Sequence, residues 1–338
     1  MRKNQSENVY YKQQVARMQV IKLIRAWLDE RGFQELICPV LQPGVPAEPT
    51  IYPFVTRWDR YLGQERVSSE LFLPLSPERA MKHYLSLGAG DCYSIGHCAR
   101  NLEGVGPTHH PEFLMLEWYR VDCDYQQIMD DTRELLCFLT RRLTGKTAIE
   151  YQGQKYDWSR WRTLSVEALW QEKFGVSIKE ILDLSAITQL ARDRGYQTEG
   201  SDWEQLFNQL FLNEIEPTLP SEPFFLLDFP ACLSPLCRPR RDRPWLAERF
   251  EVYVGGMELG NGNSEQLDAA AIRALFDAEI VARQRRGEFA PPLDEGMLAD
   301  IARMQKSGHT YAGIGLGVDR VVMLLTGVEE IGAWWPQL

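Results

Sequence analysis

The chain has 338 residues, of which 44% are hydrophobic and 25% are charged, and its formal net charge is −10. This length accommodates one large domain or two ordinary ones, and the composition is typical of a water-soluble globular protein. The acidic balance excludes a protein whose main role is to coat nucleic acid. No apolar run reaches the roughly 18 to 20 residues that span a bilayer, and no signal-peptide pattern opens the chain. We therefore expect a cytoplasmic protein without membrane contact.

The seven cysteines are scattered through the chain, and none of them forms a Cys-x-x-Cys pair. This spacing is not that of a zinc site or of a disulfide framework, so neither is expected. We interpret most of these cysteines as small buried hydrophobic residues of a protein in a reducing compartment.

The first 80 residues alternate between regular elements and a loop. Apolar residues at helical spacing predict a helix over 10–33 that Gly32 ends, followed by a strand over 33–39. The Pro/Gly-rich stretch 43–53 predicts a loop of the kind that often carries function. A second helix is predicted to begin near Ser76, which is followed by proline and glutamate.

Residues 98–119 predict a strand, a polar loop that begins at Arg100, and a second strand. Period-two alternation places one set of side chains on one face, namely Phe113, Met115, Glu117 and Tyr119, and the opposite set on the other, namely Glu112, Leu114, Leu116 and Trp118. An arginine, an aromatic ring and a Glu/Tyr pair suit a ligand with a phosphate, a base and an ammonium. The alternative is an amphipathic hairpin with a surface arginine.

A helix is predicted over 125–143, and helical pieces separated by turns fill the region that follows, as an inserted helical layer. Strand character returns at 224–230 and 247–254, and a further helix is predicted over 268–286. The helical stripe that runs from Trp203 to Phe211 is interpreted as core.

A two-glycine hairpin turn at 255–256 predicts how two carboxylates are arranged. If these glycines form the loop, Tyr253 pairs with Glu258 and Glu251 pairs with Gly260, so Glu251 and Glu258 project from one face as diagonal neighbours. Two such carboxylates suit Mg²⁺ bound together with substrate phosphates. Two solvated glutamates on an exposed sheet are the alternative.

The glycine-rich run 313–320 leads into an apolar helix, but no second strand follows, so a dinucleotide-binding unit is not predicted. We expect its glycines to allow close backbone approach and Arg320 to project from the first helical turn as a second phosphate clamp. No nucleophile with a catalytic context is found. His109 is predicted to contact phosphate, and His110 to be a turn residue.

Two arginines, two carboxylates for a metal and a stacking ring without a nucleophile fit nucleotidyl transfer. The segments that carry them resemble the three signature motifs of class II aminoacyl-tRNA synthetases, in the lysyl branch. The matching segments are the helix that ends at Gly32 with its strand to Pro39, the run from Arg100-Asn101 to Tyr119, and the run from Gly315 to Arg320, with further matches at 248–251, 256–262 and 264–265. The resemblance extends from about residue 10 to Pro336.

This resemblance implies an α/β (α+β) fold: the class II synthetase catalytic fold, with a mostly antiparallel sheet of about six to seven strands flanked by helices. It implies one catalytic domain over residues 1–338, with a helical insertion over about 145–222. Folds of this type usually dimerise through the first motif, so a homodimer with residues 10–40 at its interface is expected.

The resemblance also implies roles for the residues of the nucleotide site. Arg100 would contact the α-phosphate of ATP, Phe113 would stack on adenine, and Arg320 would take the far side of the triphosphate. Glu251 and Glu258 would bind Mg²⁺.

For a lysine-like substrate, the resemblance implies that Glu265 and Tyr119 hold the side-chain ammonium. Glu117 and Glu78 would face the other amino group, and Asn261 the carboxylate. A cluster of carboxylates around a doubly cationic substrate is also electrostatically sensible without any family resemblance.

A lysyl-tRNA synthetase carries an anticodon-binding barrel before the first motif, and this chain begins almost directly at that motif. The chain is therefore more similar to the paralogues that attach lysine or (R)-β-lysine to a lysine side chain of translation elongation factor P. The segments 51–57 and 111–120 also resemble that family more closely. With this acceptor, tRNA is not expected as a partner.

The sequence departs from the family pattern at a few places. Leu102 stands where a glutamate that reads the adenine amino group is expected, and Glu103 can take that role after a shift of one residue. Thr108 occupies a place where the tRNA enzymes often have a basic residue. Gly260 corresponds to an alanine in the β-lysine-using paralogues, whose methyl would displace the α-amino group, so a glycine leaves room for α-lysine.

Two alternatives stay open at the level of the sequence. The first keeps the adenylate chemistry but changes the acceptor to a tRNA end or a small amine. The second is a regulatory paralogue that binds an amino acid or a partner without turnover.

Overall fold

The computed structural model describes residues 2–104 and 106–334, with the backbone alone for residues 2–9. Pro336, where the family resemblance ends, lies outside the described residues. The helices, numbered in chain order, are α1 Arg2–Asp29, α2 Glu78–Ser86, α3 Tyr125–Thr144, α4 Val166–Phe174, α5 Leu184–Asp193, α6 Trp203–Leu210, α7 Ala269–Arg286, α8 Glu295–Ser307 and α9 Val318–Thr326. The strands are β1 Gln34–Glu35, β2 Val55–Leu62, β3 Glu65–Phe72, β4 Cys92–Ala99, β5 Glu112–Val121, β6 Ala148–Tyr151, β7 Gln154–Asp157, β8 Arg162–Ser165, β9 Phe224–Leu227, β10 Arg249–Val254, β11 Met257–Ser264 and β12 Tyr311–Gly317.

Eight of these strands form one sheet in the order β1-β4-β5-β12-β11-β10-β9-β8. All neighbours are antiparallel except at the two edges, where β1 runs parallel to β4 and β8 runs parallel to β9. The mixed fold with a mostly antiparallel sheet is confirmed, but the expected count of about six to seven strands is too low. The extra strand is short β8, whose residues come from the region interpreted as an inserted helical layer.

Helices α1, α3 and α9 cover one face of the sheet. The core between them is formed by apolar side chains such as Ile24 and Trp27 of α1, Leu135 of α3, and Leu116 and Trp118 of β5. Leu116 and Trp118 have no exposed surface, which agrees with the alternation predicted for this strand. The opposite face of β5 is therefore available for a site.

The capping residues explain why several helices begin and end where they do. The Asp124 side chain accepts a hydrogen bond from the backbone N–H of Gln126 at the start of α3, and Gly145 ends that helix with a φ of 68°. Helix α2 begins at Glu78, slightly later than predicted, and the Ser76 hydroxyl accepts a hydrogen bond from the Glu78 N–H. Of the strand predicted over 33–39, residues Gln34–Glu35 form β1.

The insertion combines helices and strands around its own apolar core. Trp170 of α4 stacks on Phe207 of α6 with ring centroids 4.7 Å apart, and Leu206 and Leu210 are fully buried. The stripe on α6 is therefore core, as predicted. The hairpin of β6 and β7, together with β8, shows that the region is not purely helical.

Outside the insertion, the β2–β3 hairpin, helix α8 and strand β12 were not expected from the sequence, and the residues of β12 had been interpreted as the entry to a helix. The β2–β3 hairpin is a separate two-stranded ribbon whose side chains are mostly exposed, so it lacks the alternation that marks a half-buried strand. Helix α8 follows two prolines and contains Gly296, which weaken its local helical signal. Among the described residues, no helix is both long and apolar enough to cross a membrane.

Candidate active site

Two adjoining cavities open on the face of the sheet opposite α1, α3 and α9. The larger, here called the acidic cavity, has a volume of about 350 Å³ and is lined by glutamates that include Glu78, Glu117 and Glu251. The smaller, called the arginine cavity, has a volume of about 200 Å³ and is lined by residues that include Arg320 and Phe113. Five residues line both cavities, namely Arg100, Met115, Glu258, Asn261 and Gly315. One ligand can therefore occupy both.

The cavity face of β5 provides the floor of the site. Met115, Glu117 and Tyr119 line the acidic cavity, and Phe113 lines the arginine cavity. The Tyr119 hydroxyl donates a hydrogen bond of 2.7 Å to Glu117 Oε1, and both residues are 3% exposed. Burial and the charge of Glu78 raise the pKa of Glu117 well above its ordinary value. A ligand cation at this position would relieve that electrostatic cost.

Glycines on β12 let this floor lie against the neighbouring strand. A Cβ atom on Gly313 would lie 2.5 Å from Cδ1 of Tyr119, and one on Gly315 would lie 3.1 Å from Sδ of Met115. Each side chain of the floor thus occupies space that a larger residue on β12 would fill. The glycines of 313–320 serve close approach, as the sequence indicated.

Lys82, which the sequence analysis did not select, lies buried behind the acidic cavity. Its ammonium is 2.6 Å from Glu78 Oε1 and 2.7 Å from Glu265 Oε2. Glu78 lines the cavity, whereas neither Lys82 nor Glu265 is among its lining residues. The side-chain amide of Asn263, which does line the cavity, donates a 3.1 Å hydrogen bond to Glu265 Oε1. Glu265 is thus held by groups of the chain itself.

A bulge in the β10–β11 hairpin changes the predicted register. Tyr253 pairs with Glu258 as predicted, but Val252 pairs with Gly260 and Glu251 with Asn261, because Leu259 is an extra residue between these pairs. The predicted pairing of Glu251 with Gly260 is therefore wrong.

The bulge has a consequence for the side chains of β11. Strict alternation from Glu258 would turn Asn261 and Asn263 to the opposite face, whereas the extra residue brings Glu258, Asn261 and Asn263 to the same cavity. The side-chain amide of Asn261 lies 3.5 Å from Glu258 Oε1. Glu251 and Glu258 still share one face.

Glu251 is buried and already has two hydrogen-bond partners. Arg249 donates to Oε1 at 2.9 Å, and the Tyr253 hydroxyl donates to Oε2 at 3.1 Å. Burial and the charge of Glu258 nevertheless raise the pKa of Glu251 above its ordinary value.

The donor set decides which kind of metal this site can take. Among the described residues, no group of three or more His, Cys, Asp or Glu side chains has metal-binding geometry. Two carboxylates, as predicted for Glu251 and Glu258, would suit a hard cation that brings other ligands with it, as Mg²⁺ does when bound to phosphates.

In the arginine cavity, Arg100 is held by the backbone and by an aromatic ring. Its Nε donates to the Leu75 carbonyl at 3.2 Å, and its guanidinium carbon lies 5.3 Å from the centroid of Phe113. Leu102 has a φ of 59° and is 76% exposed, so its side chain lies largely in solvent. Glu103 lines the cavity, with Oε1 3.5 Å from Arg100 Nη1.

Arg320 projects from the first turn of α9 and is also held mainly by carbonyl groups. It donates to the Glu258 carbonyl at 2.6 Å and to the Thr108 carbonyl at 3.2 Å. Its Nη2 lies 3.0 Å from His109 Nε2, which accepts the hydrogen bond because Arg has no acceptor. Burial and the charge of Arg320 lower the pKa of His109. His110 Nδ1 bonds the Glu112 carbonyl at 2.7 Å across the turn.

Gly260 lines the arginine cavity, but an added methyl would first meet the neighbouring strand. Its Cβ would lie 2.2 Å from the carbonyl oxygen of Gly315 and 2.8 Å from Cα of Leu316. The sequence interpretation expected such a methyl to act on a bound α-amino group. In this structure the main chain of β12 is in the way, so a glycine is needed here for packing alone.

Several cavity residues were missed because no local motif marks them. The loop that includes Glu48 and the segment after β9 approach the cavity from distant parts of the chain, and the insertion contributes one wall. The missed residues of the acidic cavity with polar side chains are Glu48, Thr50, Ser76, Glu204, Asn208, Glu216, Arg249, Tyr253 and Asn263. The Pro/Gly-rich composition of 43–53 was the one signal that pointed to Glu48.

The chain is similar to known proteins over nearly its whole length. The sequence profile described as tRNA synthetases class II (D, K and N) matches residues 4–334. A lysine–tRNA ligase of Chloroflexus aurantiacus is 34% identical over 321 residues, which cover 94% of this chain and 62% of that protein. A lysine–tRNA ligase of Carboxydothermus hydrogenoformans is 32% identical over 319 residues, which cover 94% of this chain and 63% of that protein.

This chain thus spans less than two thirds of the length of these curated relatives. The profile nevertheless covers almost the whole chain, and its match agrees with the mostly antiparallel sheet. The chain belongs to the family of class II tRNA synthetases for D, K and N.

Proposed function

We propose that this chain is an ATP-dependent ligase that activates lysine or (R)-β-lysine as an aminoacyl-adenylate and transfers it to a lysine side chain of translation elongation factor P. The observation that carries the proposal is the junction of the two cavities. A buried Glu117–Tyr119 pair at one side suits an ammonium, and two arginines at the other side suit a triphosphate. Arg100 lines both cavities, where an amino-acid carboxylate and the α-phosphate would meet.

In the first step, a carboxylate oxygen of the amino acid attacks the α-phosphorus of ATP. The new bond joins that oxygen to phosphorus, the bond to the bridging oxygen breaks, and pyrophosphate leaves. No protein nucleophile is needed, so the chain contributes position and charge. Arg100 would neutralise the α-phosphate, and Arg320 the far side of the triphosphate. Phe113 would stack on adenine, and Glu103 would read its amino group.

Mg²⁺ would be held by Glu251 and Glu258 and would offset the charge of the phosphates when bound. The two carboxylates lie on one face of the β10–β11 hairpin and line the acidic cavity together with Asn261. Their donor set is incomplete without phosphate oxygens, which fits an ion that arrives with ATP.

In the second step, the free amine of an acceptor lysine attacks the adenylate carbonyl, and AMP leaves. The acceptor is the part of the proposal that rests on the segments 51–57 and 111–120, which resemble the elongation factor P ligases. A tRNA end is the second candidate, because the similar proteins are named lysine–tRNA ligases.

Amino-acid-dependent pyrophosphate–ATP exchange tests the first step, with lysine, (R)-β-lysine, ornithine and arginine as substrates. Exchange with lysine or β-lysine is expected, and exchange with none of the four would contradict the proposal and favour a regulatory protein without turnover. Transfer of labelled lysine to elongation factor P, compared in parallel with transfer to tRNA and to small amines, then identifies the acceptor.

We also propose a homodimer with residues 10–40 at its interface. Apolar side chains of this segment are exposed in the single chain, among them Ile37 at 91% and Met18 at 54%. Such side chains are typical of a surface that is covered by a partner. A monomer in sedimentation at micromolar concentration would contradict this proposal.

A further inference from the structure

A turn of the Pro/Gly-rich loop, residues 48–51, forms part of the wall of the acidic cavity. Thr50 in this turn has a φ of 59°, in the left-handed region. A β-branched residue rarely adopts this conformation, which costs about 1–3 kcal/mol and persists only when surrounding contacts impose it. The contacts that impose it here come from helix α7.

The guanidinium of Arg283, on α7, bonds the backbone at both ends of this turn. Its Nη2 donates to the carbonyl oxygen of Glu48 and, at 3.1 Å, to that of Ile51. Its central carbon lies 4.6 Å from the centroid of the Tyr52 ring, and its Nε donates to Glu279 Oε1 at 2.7 Å. Because Arg283 is fully buried, water does not compete for these hydrogen bonds.

These contacts explain why the side chain at this position is an arginine. A planar guanidinium can lie on an aromatic ring and at the same time donate along its edges to several acceptors. The ammonium of a lysine has neither the flat face nor the fixed fork of donors. Arg283 uses both, since it contacts the Tyr52 ring and donates to the two carbonyls of the turn.

The residue after the turn connects it to the loop that carries Arg100. The Tyr52 carbonyl accepts a 2.8 Å hydrogen bond from the Asn101 N–H, and the two residues form an antiparallel bridge. The Tyr52 hydroxyl donates to Glu288 Oε2 at 2.7 Å, just beyond the end of α7. Asn101 directly follows Arg100, which lines both cavities. A displacement of the turn would therefore move the backbone beside Arg100.

We propose that Arg283 is a positioning residue of the nucleotide site: its guanidinium holds the 48–51 turn in place and, through Tyr52 and Asn101, sets the position of Arg100. This inference rests on the proposed activation of an amino acid by ATP. Arg283 itself lines neither cavity, so it acts on the reaction through the main chain of the turn.

Chemical rescue tests whether a guanidinium is needed at this position. Arg283→Ala is expected to lower the kcat of lysine-dependent exchange by about 10- to 100-fold and to raise the KM for ATP, because a shift of about 1 Å in a group that binds the reacting phosphate can cost this much. Guanidinium chloride, at concentrations far below those that unfold proteins, should restore much of the loss. Urea and sodium chloride at equal concentration should not.

Arg285→Ala is the matched control, because Arg285 lies on the same helix and is exposed. It should keep wild-type kinetics with and without guanidinium. Arg283→Lys preserves the positive charge beside Glu279, so it protects the fold if the alanine variant is unstable, and it should still lose activity. Wild-type kinetics of either Arg283 variant, or a folded Arg283→Ala that guanidinium does not rescue, would overturn the inference.

A double-mutant cycle with Thr50→Gly tests the route through the turn. Glycine adopts a positive φ without strain, so a turn with glycine at position 50 depends less on Arg283. Arg283→Ala should therefore reduce kcat by a smaller factor in the Thr50→Gly background than in wild type. Equal factors in both backgrounds would show that Arg283 does not act through this turn.

Amide hydrogen exchange distinguishes a failure of this inference from a failure of the proposed function. If wild type shows no pyrophosphate exchange with any amino acid, the proposed function fails, but the contact can still be measured. Arg283→Ala should accelerate hydrogen exchange in the peptide that contains Asn101, and guanidinium should slow it again. Unchanged hydrogen exchange in that peptide would overturn the inference whatever the enzymatic result.

Discussion

The two cavities hold their charges in different ways. In the acidic cavity and directly behind it, charged side chains bond to other side chains, as in Lys82 with Glu78 and Arg249 with Glu251. In the arginine cavity, Arg320 donates to two backbone carbonyls, whereas Arg100 donates to one and also lies 3.5 Å from the carboxylate of Glu103.

This difference indicates which charged side chains are available to bind a ligand of opposite charge. An ion pair between side chains largely cancels both charges, whereas a carbonyl orients an arginine without removing its positive charge. Arg320 is therefore oriented for an anion. In the acidic cavity, Glu117 accepts a hydrogen bond from the neutral hydroxyl of Tyr119, and we assign Glu117 to a ligand cation.

Removal of an arginine should have the largest effect. Arg320→Ala is expected to lower the exchange rate by about 10²–10³-fold, because preorganised charge next to the phosphates is lost. The KM for ATP should rise while the KM for lysine stays near that of wild type. Arg160→Ala, which removes an exposed arginine of the insertion, is the control and should be neutral. Equal shifts in both KM values would argue against separate roles for the two cavities.

Neutralisation of Glu117 should weaken the binding of lysine much more than the binding of ATP. Glu117→Gln keeps the shape of the side chain but weakens a charge-assisted hydrogen bond, so the KM for lysine should rise by about 10- to 100-fold. The KM for ATP should change little in the same steady-state measurement. A larger change for ATP than for lysine would show that Glu117 serves the nucleotide instead.

A methyl group added at Gly313 of β12 should displace side chains of β5 that line the acidic cavity. Gly313→Ala would place Cβ 2.5 Å from the Tyr119 ring, so this ring, which donates its hydroxyl hydrogen bond to Glu117, must shift. We expect a loss of about 1–3 kcal/mol in the free energy of unfolding and about a tenfold higher KM for lysine.

Gly96→Ala on β4 is the matched control, because its nearest contact would be an ordinary 3.6 Å to Pro77 Cγ. Denaturant unfolding and exchange kinetics on both variants make the comparison. Equal stability of the two variants would contradict the packing argument.

The smallest expected effect is on the pH dependence of stability, and it comes from Glu204, which the insertion contributes to the acidic cavity. Burial and the charges of Glu279 and Asp202 raise the pKa of Glu204 to about 7. Between its ordinary value and pH 7, the folded state keeps a proton that the unfolded state has lost, so stability falls as the pH rises through this window.

Glu204→Gln removes that dependence. The variant should match wild type at pH 4 and exceed it by about 1–3 kcal/mol at pH 8 in denaturant unfolding. Glu199→Gln, which changes an exposed carboxylate of the same insertion, should follow wild type at both pH values. A Glu204→Gln variant with the pH dependence of wild type would contradict the raised pKa.

Local patterns predicted those elements whose side chains alternate between core and solvent. Strand β5 is an example, because Leu116 and Trp118 are buried in the hydrophobic core while Glu117 and Tyr119 line the acidic cavity. The β2–β3 hairpin was missed because the side chains on both of its faces are mostly exposed. Its sequence therefore lacks the apolar/polar alternation that predicts a half-buried strand. The β10–β11 register failed at one extra residue, Leu259, which no turn rule predicts.

The sequence by itself determined the alternation of β5 and the motifs of the family to which the chain belongs, and the mostly antiparallel fold followed from that family resemblance. Each of these depends on residues that are neighbours in the chain or on motifs that are read directly. Only the tertiary structure decided that Lys82 lies between Glu78 and Glu265, and that the insertion brings Glu204 to the cavity. Such pairs join distant segments, and their charges act through space and burial, which local sequence does not encode.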